Sequence, residues 1–420
     1  MASRFWVFIT SILALILFGV IILQMLNETG GSNSYALLAE SLLKGEFNTL
    51  RECFDVDCVY LQGRTFVIFP PFPAVLTMPF VAIFGVQFSG FIAISIIIFL
   101  ATGLVWWKII RKLGKDKSIA FLFVIAILFS SPLLYVIIRG DRVWFFAQSI
   151  SFFSLSLALY YVLNKRDSYR AAIFAGILVG CSFLSRQMTI LIAPFIFAIL
   201  IEDGLPLFTI NRDRLLKFIS MAIPIALAIS IYFIYNYWRF GNIMDTGYQY
   251  LEPTEVSATG NFIYNRLLDL GIFNADYFLF NIIHLLFQGL DIEFAGKYLN
   301  DIGSLDSKGA ALLVASPFLF FLALTPIAKK SQTSENTIFS PRVIIIGVIV
   351  SLVIIGITLF YHSNGTIQYN VQRYTLDWLP VAFIILATAL RKDMLPLFAA
   401  LVSFGIMLNI VSLAILSITT

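Results

Sequence analysis

Residues Phe5–Met25 read FWVFITSILALILFGVIILQM, an apolar stretch that contains no charged side chain. A helix needs roughly 20 apolar residues to cross the hydrocarbon core of a bilayer. The stretch is longer than the apolar part of a signal peptide, and no small-residue cleavage site follows it. We therefore predict a retained membrane anchor at the start of the chain.

The composition extends this prediction to the whole sequence. Of 420 residues, 60% are apolar and 12% are charged, whereas soluble domains carry about 45–50% apolar and about 25% charged residues. A soluble globular enzyme, a disordered chain and a nucleic-acid-binding module are excluded, because the polar surface is too small. Two histidines and three cysteines are too few for a His- or Cys-rich metal site.

Ten further apolar stretches predict an all-α polytopic membrane protein with about 11 transmembrane helices. They lie near Phe88–Trp107, Ser118–Ile138, Val143–Leu163, Ala171–Leu184, Met188–Ile201, Phe218–Trp238, Ala310–Ile327, Val343–Tyr361, Thr375–Leu390 and Leu395–Leu416. The two stretches around Arg186 are short, so we expect them to form a tight pair.

The distribution of charge predicts the orientation. With a cytoplasmic N-terminus, the inner segments hold 17 of the 28 basic residues and 7 of the 24 acidic ones. We therefore predict a multi-pass plasma (cell) membrane protein whose N-terminus is cytoplasmic and whose C-terminus is outside. Pro70–Val86 and Tyr277–Leu290 are predicted to dip into the outer leaflet, because a crossing at either would place basic clusters outside.

We predict a single membrane domain, 1–420, with two large outer loops at 27–87 and 239–309 that carry interfacial helices. In the first loop, the apolar spacing of Ser34–Lys44 (SYALLAESLLK) predicts an amphipathic helix along the membrane surface. Ionisable residues gather at the outer ends of the spans, where charge beside hydrocarbon is costly and often functional. A site that opens outward beside lipid is therefore expected.

Six sequence blocks follow one another in an order that points to a family. They are YALLAESLLKG (35–45), FPPFPAVLTMPFVAIFG (69–85), GILVGCSFLSRQMTILIAPF (176–195), NYWRFGNIMDTGY (236–248), KGAALLVASPF (308–318) and YNVQRYTLDWLP (369–380). Their order resembles the GT-C-type membrane glycosyltransferases, including the dolichyl-phosphate-mannose–protein mannosyltransferases. The resemblance implies a polyprenyl-phosphate-sugar donor in an apolar groove and an inverting hexosyl or pentosyl transfer to a glycan, lipid or protein acceptor.

Such a displacement needs a carboxylate that takes the acceptor proton and cations that hold the leaving phosphate. The family usually has an acidic residue shortly before Tyr35, where this chain has Asn33. Glu40 and Glu28 are therefore the candidate bases, and Tyr35 is a candidate for substrate binding. The alternatives are a solvated charge on a helix face for Glu40 and an interfacial anchor for Glu28.

Asp141, in the outer turn RGDR, is a candidate accessory acid for acceptor binding. Its neighbours Arg139 and Arg142 are candidates for substrate binding, and the alternative for all three is a local ion pair.

Arg186, at an outer turn, and Arg373, just before a span, are predicted to clamp the lipid phosphate, because arginine binds phosphate bidentately. The alternative is snorkelling to the lipid headgroups. Arg239 is a weaker candidate of the same kind. Asp377 lies four residues after Arg373, so on an α-helix the two would share a face and form an ion pair.

Asp55 and Asp57, in CFDVDC, are weak candidates for a divalent cation, because carboxylate oxygens suit such ions. No cofactor is required by any other pattern. Cys53 and Cys58 flank the two acids in the predicted outer loop, where an oxidising compartment permits a disulfide between them. The alternative is that both remain free thiols.

Two other function classes are compatible with the sequence. One is a lipid or polysaccharide transporter, or a flippase-like protein, which requires access from both faces. The other is a non-catalytic membrane assembly subunit, which the missing acid before Tyr35 favours.

Overall fold

The computed structural model describes residues 2–26, 32–49, 51–54, 58–202, 205–206, 209–251, 262–289, 291–299, 301–305, 309–323, 339–363 and 372–419. The helices and strands are, in chain order, α1 (Ala2–Leu26), α2 (Ser34–Leu43), β1 (Cys58–Leu61), β2 (Arg64–Val67), α3 (Phe72–Phe84), α4 (Phe91–Lys112), α5 (Lys117–Phe129), α6 (Leu133–Ile138), α7 (Val143–Asn164), α8 (Tyr169–Phe183), α9 (Ala193–Leu200), α10 (Arg212–Phe240), α11 (Phe262–Leu270), α12 (Phe278–Leu286), β3 (Ile292–Ala295), β4 (Asp301–Leu305), α13 (Leu312–Ala315), α14 (Pro341–Leu359), α15 (Leu379–Ala389) and α16 (Leu395–Thr419). Short 3-10 helices lie at Gln187–Ile192, Tyr248–Tyr250, Ala275–Tyr277, Pro317–Phe320, Arg373–Asp377 and Lys392–Met394.

Six of the helices in these ranges, α1, α4, α7, α10, α14 and α16, are long and apolar enough to cross a membrane. The other predicted spans are shorter or interrupted helices. The stretch near Ser118–Ile138 divides into α5 and α6 around Pro132, because proline lacks the amide hydrogen that an uninterrupted helix needs. The protein is therefore a mostly helical chain with several apolar helices, and the total of eleven spans stays a prediction.

Two short antiparallel hairpins, β1–β2 and β3–β4, depart from the all-α prediction. The first places Cys58 opposite Val67 and turns through Gln62 and Gly63. Both turn residues have positive φ angles, of 51° and 78°. Such angles at two adjacent residues produce the tight turn that matches the twist of a hairpin.

The predicted amphipathic helix exists as α2, but protein encloses most of it. The N-cap residue Asn33 accepts a hydrogen bond from the Tyr35 amide at 2.9 Å, which explains where the helix begins. The side chains from Ser34 to Ala39 are buried. The helix therefore packs inside the outer loops and exposes little beyond its last turn, in contrast to the predicted surface helix.

Helices α8 and α10 approach each other closely through two glycines. A Cβ atom at Gly176 would collide with the Met221 carbonyl oxygen, and one at Gly180 would lie 2.8 Å from the Ala228 Cβ atom. Small residues four apart permit such backbone contact between membrane helices. The contact positions the end of α8, and with it Arg186, against α10.

Contacts between distant loops at one end of the bundle join segments that the charge pattern assigns to the inner face. Lys392 Nζ lies 3.4 Å from an oxygen of Asp116. Lys217 Nζ lies 3.9 Å from an oxygen of Asp167. Basic segments far apart in sequence thus share one end of the protein.

The opposite end joins segments that the charge pattern assigns to the outer face. The Asn33 side-chain amide donates to the Asp141 carbonyl oxygen at 3.1 Å. Arg239 donates to the Val67 carbonyl oxygen at 2.6 Å. Segments assigned to the same face thus contact each other at each end, while the orientation in the membrane stays a prediction.

We expect an impermeant maleimide to label Glu46→Cys on intact cells, and Lys392→Cys only after permeabilisation, both in a Cys181→Ser background. Glu46 is exposed at the predicted outer end, and the Lys392 side chain is 79% exposed at the predicted inner end. Labelling of Lys392→Cys from outside would contradict the predicted orientation.

Candidate functional site

Arg186 forms a buried ion pair at the predicted outer end. Its Nη2 lies 2.7 Å from Asp377 Oδ2, and its Nε donates to the other carboxylate oxygen at 3.3 Å. Asp377 is fully buried, and Gln148 of α7 donates to the same carboxylate at 2.6 Å. Charge-assisted hydrogen bonds from two other parts of the chain therefore offset the cost of burying this acid.

The predicted pairing of Asp377 with Arg373 is wrong. The two residues bound a 3-10 helix, in which three residues complete a turn. Side chains four positions apart then point about 120° away from each other, whereas an α-helix would bring them to one face. The carboxylate consequently pairs with Arg186.

The Arg373 guanidinium lies among three aromatic rings, which we call the aromatic cage. Its Cζ lies 5.2 Å from the ring centre of Phe145 and 5.1 Å from that of Tyr374. The Trp144 ring lies 5.8 Å away. The Arg373 Nε is buried without a hydrogen-bond partner, and in the described part of the chain the side chain forms no ion pair. A cation held this way favours the binding of an anion.

Tyr374 brings the two predicted clamp residues together. The Arg186 Cζ lies 4.7 Å from the Tyr374 ring centre, and the Arg373 Cζ lies 5.1 Å from the same centre. The two guanidinium groups are therefore at most about 10 Å apart. The Tyr374 hydroxyl is 3.1 Å from the Ser363 hydroxyl, which holds the ring in place.

Asp141 forms local ion pairs with its two neighbouring arginines, which the sequence analysis gave as the alternative to a role in acceptor binding. Arg139 Nε and Arg142 Nε each lie 3.4 Å from one of its carboxylate oxygens. The Asp141 side chain is 26% exposed, so it keeps access to solvent. The helix α7, whose first turn supplies two rings of the aromatic cage, begins directly after Arg142. Asp141 is therefore adjacent in sequence to the residues that surround Arg373.

Glu40 is held by two cations. Arg51 Nε lies 3.0 Å from one carboxylate oxygen, and Lys44 Nζ lies 3.1 Å from the other. The hydrogen bond from Arg51 is the main cause that holds the pKa of Glu40 below its ordinary value. A carboxylate stabilised in this way is a weaker proton acceptor, so Glu40 suits the predicted role of base less well.

Tyr35 and Arg239 have the contacts of structural residues, in contrast to the substrate-binding role predicted for them. Tyr35 is fully buried, and its ring centre lies 5.9 Å from that of Phe69. Arg239 is also buried and donates to the Val67 carbonyl oxygen and to the Asn236 side chain. Arg239 thus joins α10 to β2.

Glu28, Asp55 and Asp57 lie outside the described residues. A disulfide joins Cys53 and Cys58, one of the two alternatives that the sequence left open. Within the described ranges, no group of three or more His, Cys, Asp or Glu side chains is arranged to hold a metal ion.

Tyr374 and His362 are site residues that the sequence reasoning missed. Tyr374 lies inside the block YNVQRYTLDWLP, so the block itself was the available signal. His362 lies against Tyr361, with ring centres 4.2 Å apart, and its buried Nδ1 has no hydrogen-bond partner. His362 reaches the site only through its neighbour Tyr361, whose ring meets that of Tyr374 in the folded chain. The sequence around His362 gives no sign of this contact.

Comparison with solved structures finds ArnT from Cupriavidus metallidurans bound to undecaprenyl phosphate, with a TM-score of 0.46 and 14% identity over 91% of this chain and 60% of ArnT. It also finds the archaeal oligosaccharyltransferase AglB from Archaeoglobus fulgidus in complex with an inhibitory peptide and a dolichol-phosphate, with a TM-score of 0.41 and 15% identity over 92% of this chain and 50% of AglB.

The chain spans 60% and 50% of the lengths of these two proteins. No protein-family model matches the chain, and no curated protein matches its sequence. Because both TM-scores are below 0.5, the likeness favours no particular donor, acceptor or residue.

The substitution Asp377→Asn is expected to lower the free energy of unfolding on the order of 3 kcal/mol, because it leaves Arg186 buried without its counter-ion. Thermal unfolding of the detergent-solubilised protein measures the loss. Asp393→Asn is the matched control, since its partner Arg391 lies in an exposed pair, and it should cost less than about 1 kcal/mol. Equal losses for the two substitutions would contradict the role of the buried pair.

Burial lowers the pKa of His362 to about 4 from its ordinary 6.5. Between these values the unfolded chain binds a proton that the folded chain does not, so folding is expected to weaken as the pH falls from 6.5 towards 4. The full effect is on the order of 3 kcal/mol. His362→Gln should reduce the slope of the melting temperature plotted against pH between 6.5 and 4. An unchanged slope would show that His362 does not cause the loss of stability.

Proposed function

We propose that this chain is a membrane glycosyltransferase that moves a hexosyl or pentosyl group, with inversion, from a polyprenyl-phosphate donor to an acceptor at the outer face of the plasma membrane. The family resemblance of the sequence blocks supports the reaction class. The observation that carries the proposal is the pairing of Arg186 and Arg373 around one tyrosine ring, with Arg373 free of any described counter-ion.

The two arginines have complementary roles in this proposal. Asp377 fixes Arg186 through two contacts, so its guanidinium is oriented before the donor binds. Arg373 keeps an uncompensated charge, which suits a phosphate that gains negative charge as the sugar leaves. Donors aligned in advance stabilise that charge without reorganisation, and arginine stays protonated beside lipid.

Asp141 is our first candidate for the base, ahead of Glu40. It is the acid nearest in sequence to the first turn of α7, which contacts Arg373, and its side chain stays partly exposed. Both acids contact two cations, but the contacts of Glu40 with Arg51 and Lys44, at 3.0 and 3.1 Å, are shorter than the two 3.4 Å contacts of Asp141. Asn33, which stands where the family usually has an acid, hydrogen-bonds to the Asp141 backbone and so orients this turn.

The surrounding surface suits a lipid-linked donor. Apolar side chains of the long helices are widely exposed, and Ile97 and Leu104 of α4 are each 67% exposed. Side chains of this kind are stable against lipid tails or a polyprenyl chain. The acceptor in this proposal is a glycan, a lipid or a protein, and no nucleic acid takes part.

The test is turnover of synthetic undecaprenyl-phosphate sugars, with one hexose and one pentose donor, by the purified chain in lipid nanodiscs with a membrane extract as acceptor. Release of undecaprenyl phosphate is the readout. We expect Arg186→Gln, Arg373→Gln and Asp141→Asn each to lower kcat by roughly 100-fold or more, the size seen when an oriented charge-stabilising group is lost. Arg373→Lys should retain part of the activity, because the charge remains.

Arg170→Gln is the matched control, since Arg170 is exposed at the predicted inner end and should tolerate the change. Full activity of Arg186→Gln and Arg373→Gln would remove both from the mechanism. Failure of the wild-type chain to turn over either donor, with lipid movement between leaflets in its place, would instead favour the transporter class.

A further inference from the structure

A second concave surface lies in outer loop one, separate from the arginine pair. It is a cleft of about 810 Å3 between the segment that follows α2, the β1–β2 hairpin and the end of α10. This volume falls within the range of ligand pockets, roughly 300–1,000 Å3. We call it the loop-one cleft.

The charges that line the loop-one cleft balance. Glu46 and Glu52 are the acids, and Arg51 and Arg64 are the bases. Arg51 is already engaged by Glu40. The other three side chains have no hydrogen bond within the described residues and remain available to a ligand. The available side chains are thus two carboxylates and one guanidinium, a set that does not favour a phosphate or another polyanion. Donors and acceptors of both kinds suit hydroxyl groups.

An aromatic wall completes the cleft. The Trp238 side chain is 61% exposed, although its ring packs against that of Phe47 at a tilt of 46°, with ring centres 4.9 Å apart. An exposed indole with a polar edge offers a flat apolar face next to hydrogen-bonding groups. A sugar ring has the matching chemistry, since one face carries C–H groups and the edge carries hydroxyls.

The walls of the cleft are held in place by several bonds. The Thr49 amide donates to the Thr65 carbonyl oxygen at 2.8 Å, which ties the segment after α2 to the hairpin. The disulfide between Cys53 and Cys58 closes the intervening loop. A preorganised site loses less conformational entropy when a ligand binds.

We infer that the loop-one cleft binds a neutral oligosaccharide. Its lining sits at the C-terminal end of α2, and the Asn33–Asp141 contact sits at the N-terminal end of the same helix. Ten residues of α-helix separate the two by about 15 Å. If the proposed transferase function holds, on which this last step rests, the bound oligosaccharide is the acceptor, reaching from the cleft towards Asp141.

The experiment measures binding of mannotriose, maltotriose and chitotriose to the full-length chain in nanodiscs by saturation-transfer NMR and tryptophan fluorescence. Inorganic pyrophosphate serves as the anionic probe. We expect saturable binding of at least one trisaccharide and a Kd raised at least tenfold by Trp238→Ala and several-fold by Arg64→Ala. Tyr237→Ala is the matched control, because Tyr237 is next to Trp238 and 56% exposed but does not line the cleft, and the substitution should leave the Kd unchanged.

Absence of binding for all three trisaccharides, or equal binding by wild type and Trp238→Ala, overturns the assignment. Pyrophosphate binding that Arg64→Ala abolishes overturns it as well, since the cleft would then be an anion site. The outcome is independent of donor turnover. If the chain binds trisaccharide but releases no undecaprenyl phosphate, the cleft assignment stands and the proposed transferase function fails. If it releases undecaprenyl phosphate but binds no trisaccharide, the transferase function stands and the cleft assignment fails.

Discussion

The buried ion pair between Arg186 and Asp377 is the interaction on which the predicted outer end of this protein depends. A carboxylate enclosed by a membrane protein is tolerated only when a cation and further donors compensate its charge. Here the compensation comes from the turn after α8 and from Gln148 of α7, so three separate segments meet at one side chain. The ring of Tyr374 lies beside that meeting point, with its centre 4.7 Å from the Arg186 Cζ.

The same pair determines the character of Arg373. Because Asp377 is fully used by Arg186, the second arginine is surrounded by aromatic rings in place of carboxylates. Aromatic faces stabilise a cation without neutralising it. The predicted outer end therefore holds one arginine that is oriented and one that has no counter-ion among the described residues. That difference between the two arginines is the physical basis for proposing a phosphate-bearing ligand at this end.

Much of the architecture followed from simple periodicity and charge, and the remainder depended on local geometry. The six long apolar helices coincide with six of the eleven predicted spans, because bilayer thickness acts over many residues. The partner of Asp377 could not be predicted, since the choice between a 3-10 and an α-helix over five residues decides which face the carboxylate occupies. The burial of α2 by protein could not be predicted either, because apolar spacing indicates a buried face but does not say whether lipid or protein covers it.

The glycine contact between α8 and α10 has a mechanical meaning. Backbones that touch at Gly176 and Gly180 cannot slide or tilt independently, since no flexible side chain lies between them to absorb the strain. Helix α8 ends three residues before Arg186, and α10 carries Trp238 in its last turn. The guanidinium of Arg186 and the indole of Trp238 are therefore carried by the two members of one closely packed helix pair, so the two compartments share a common support.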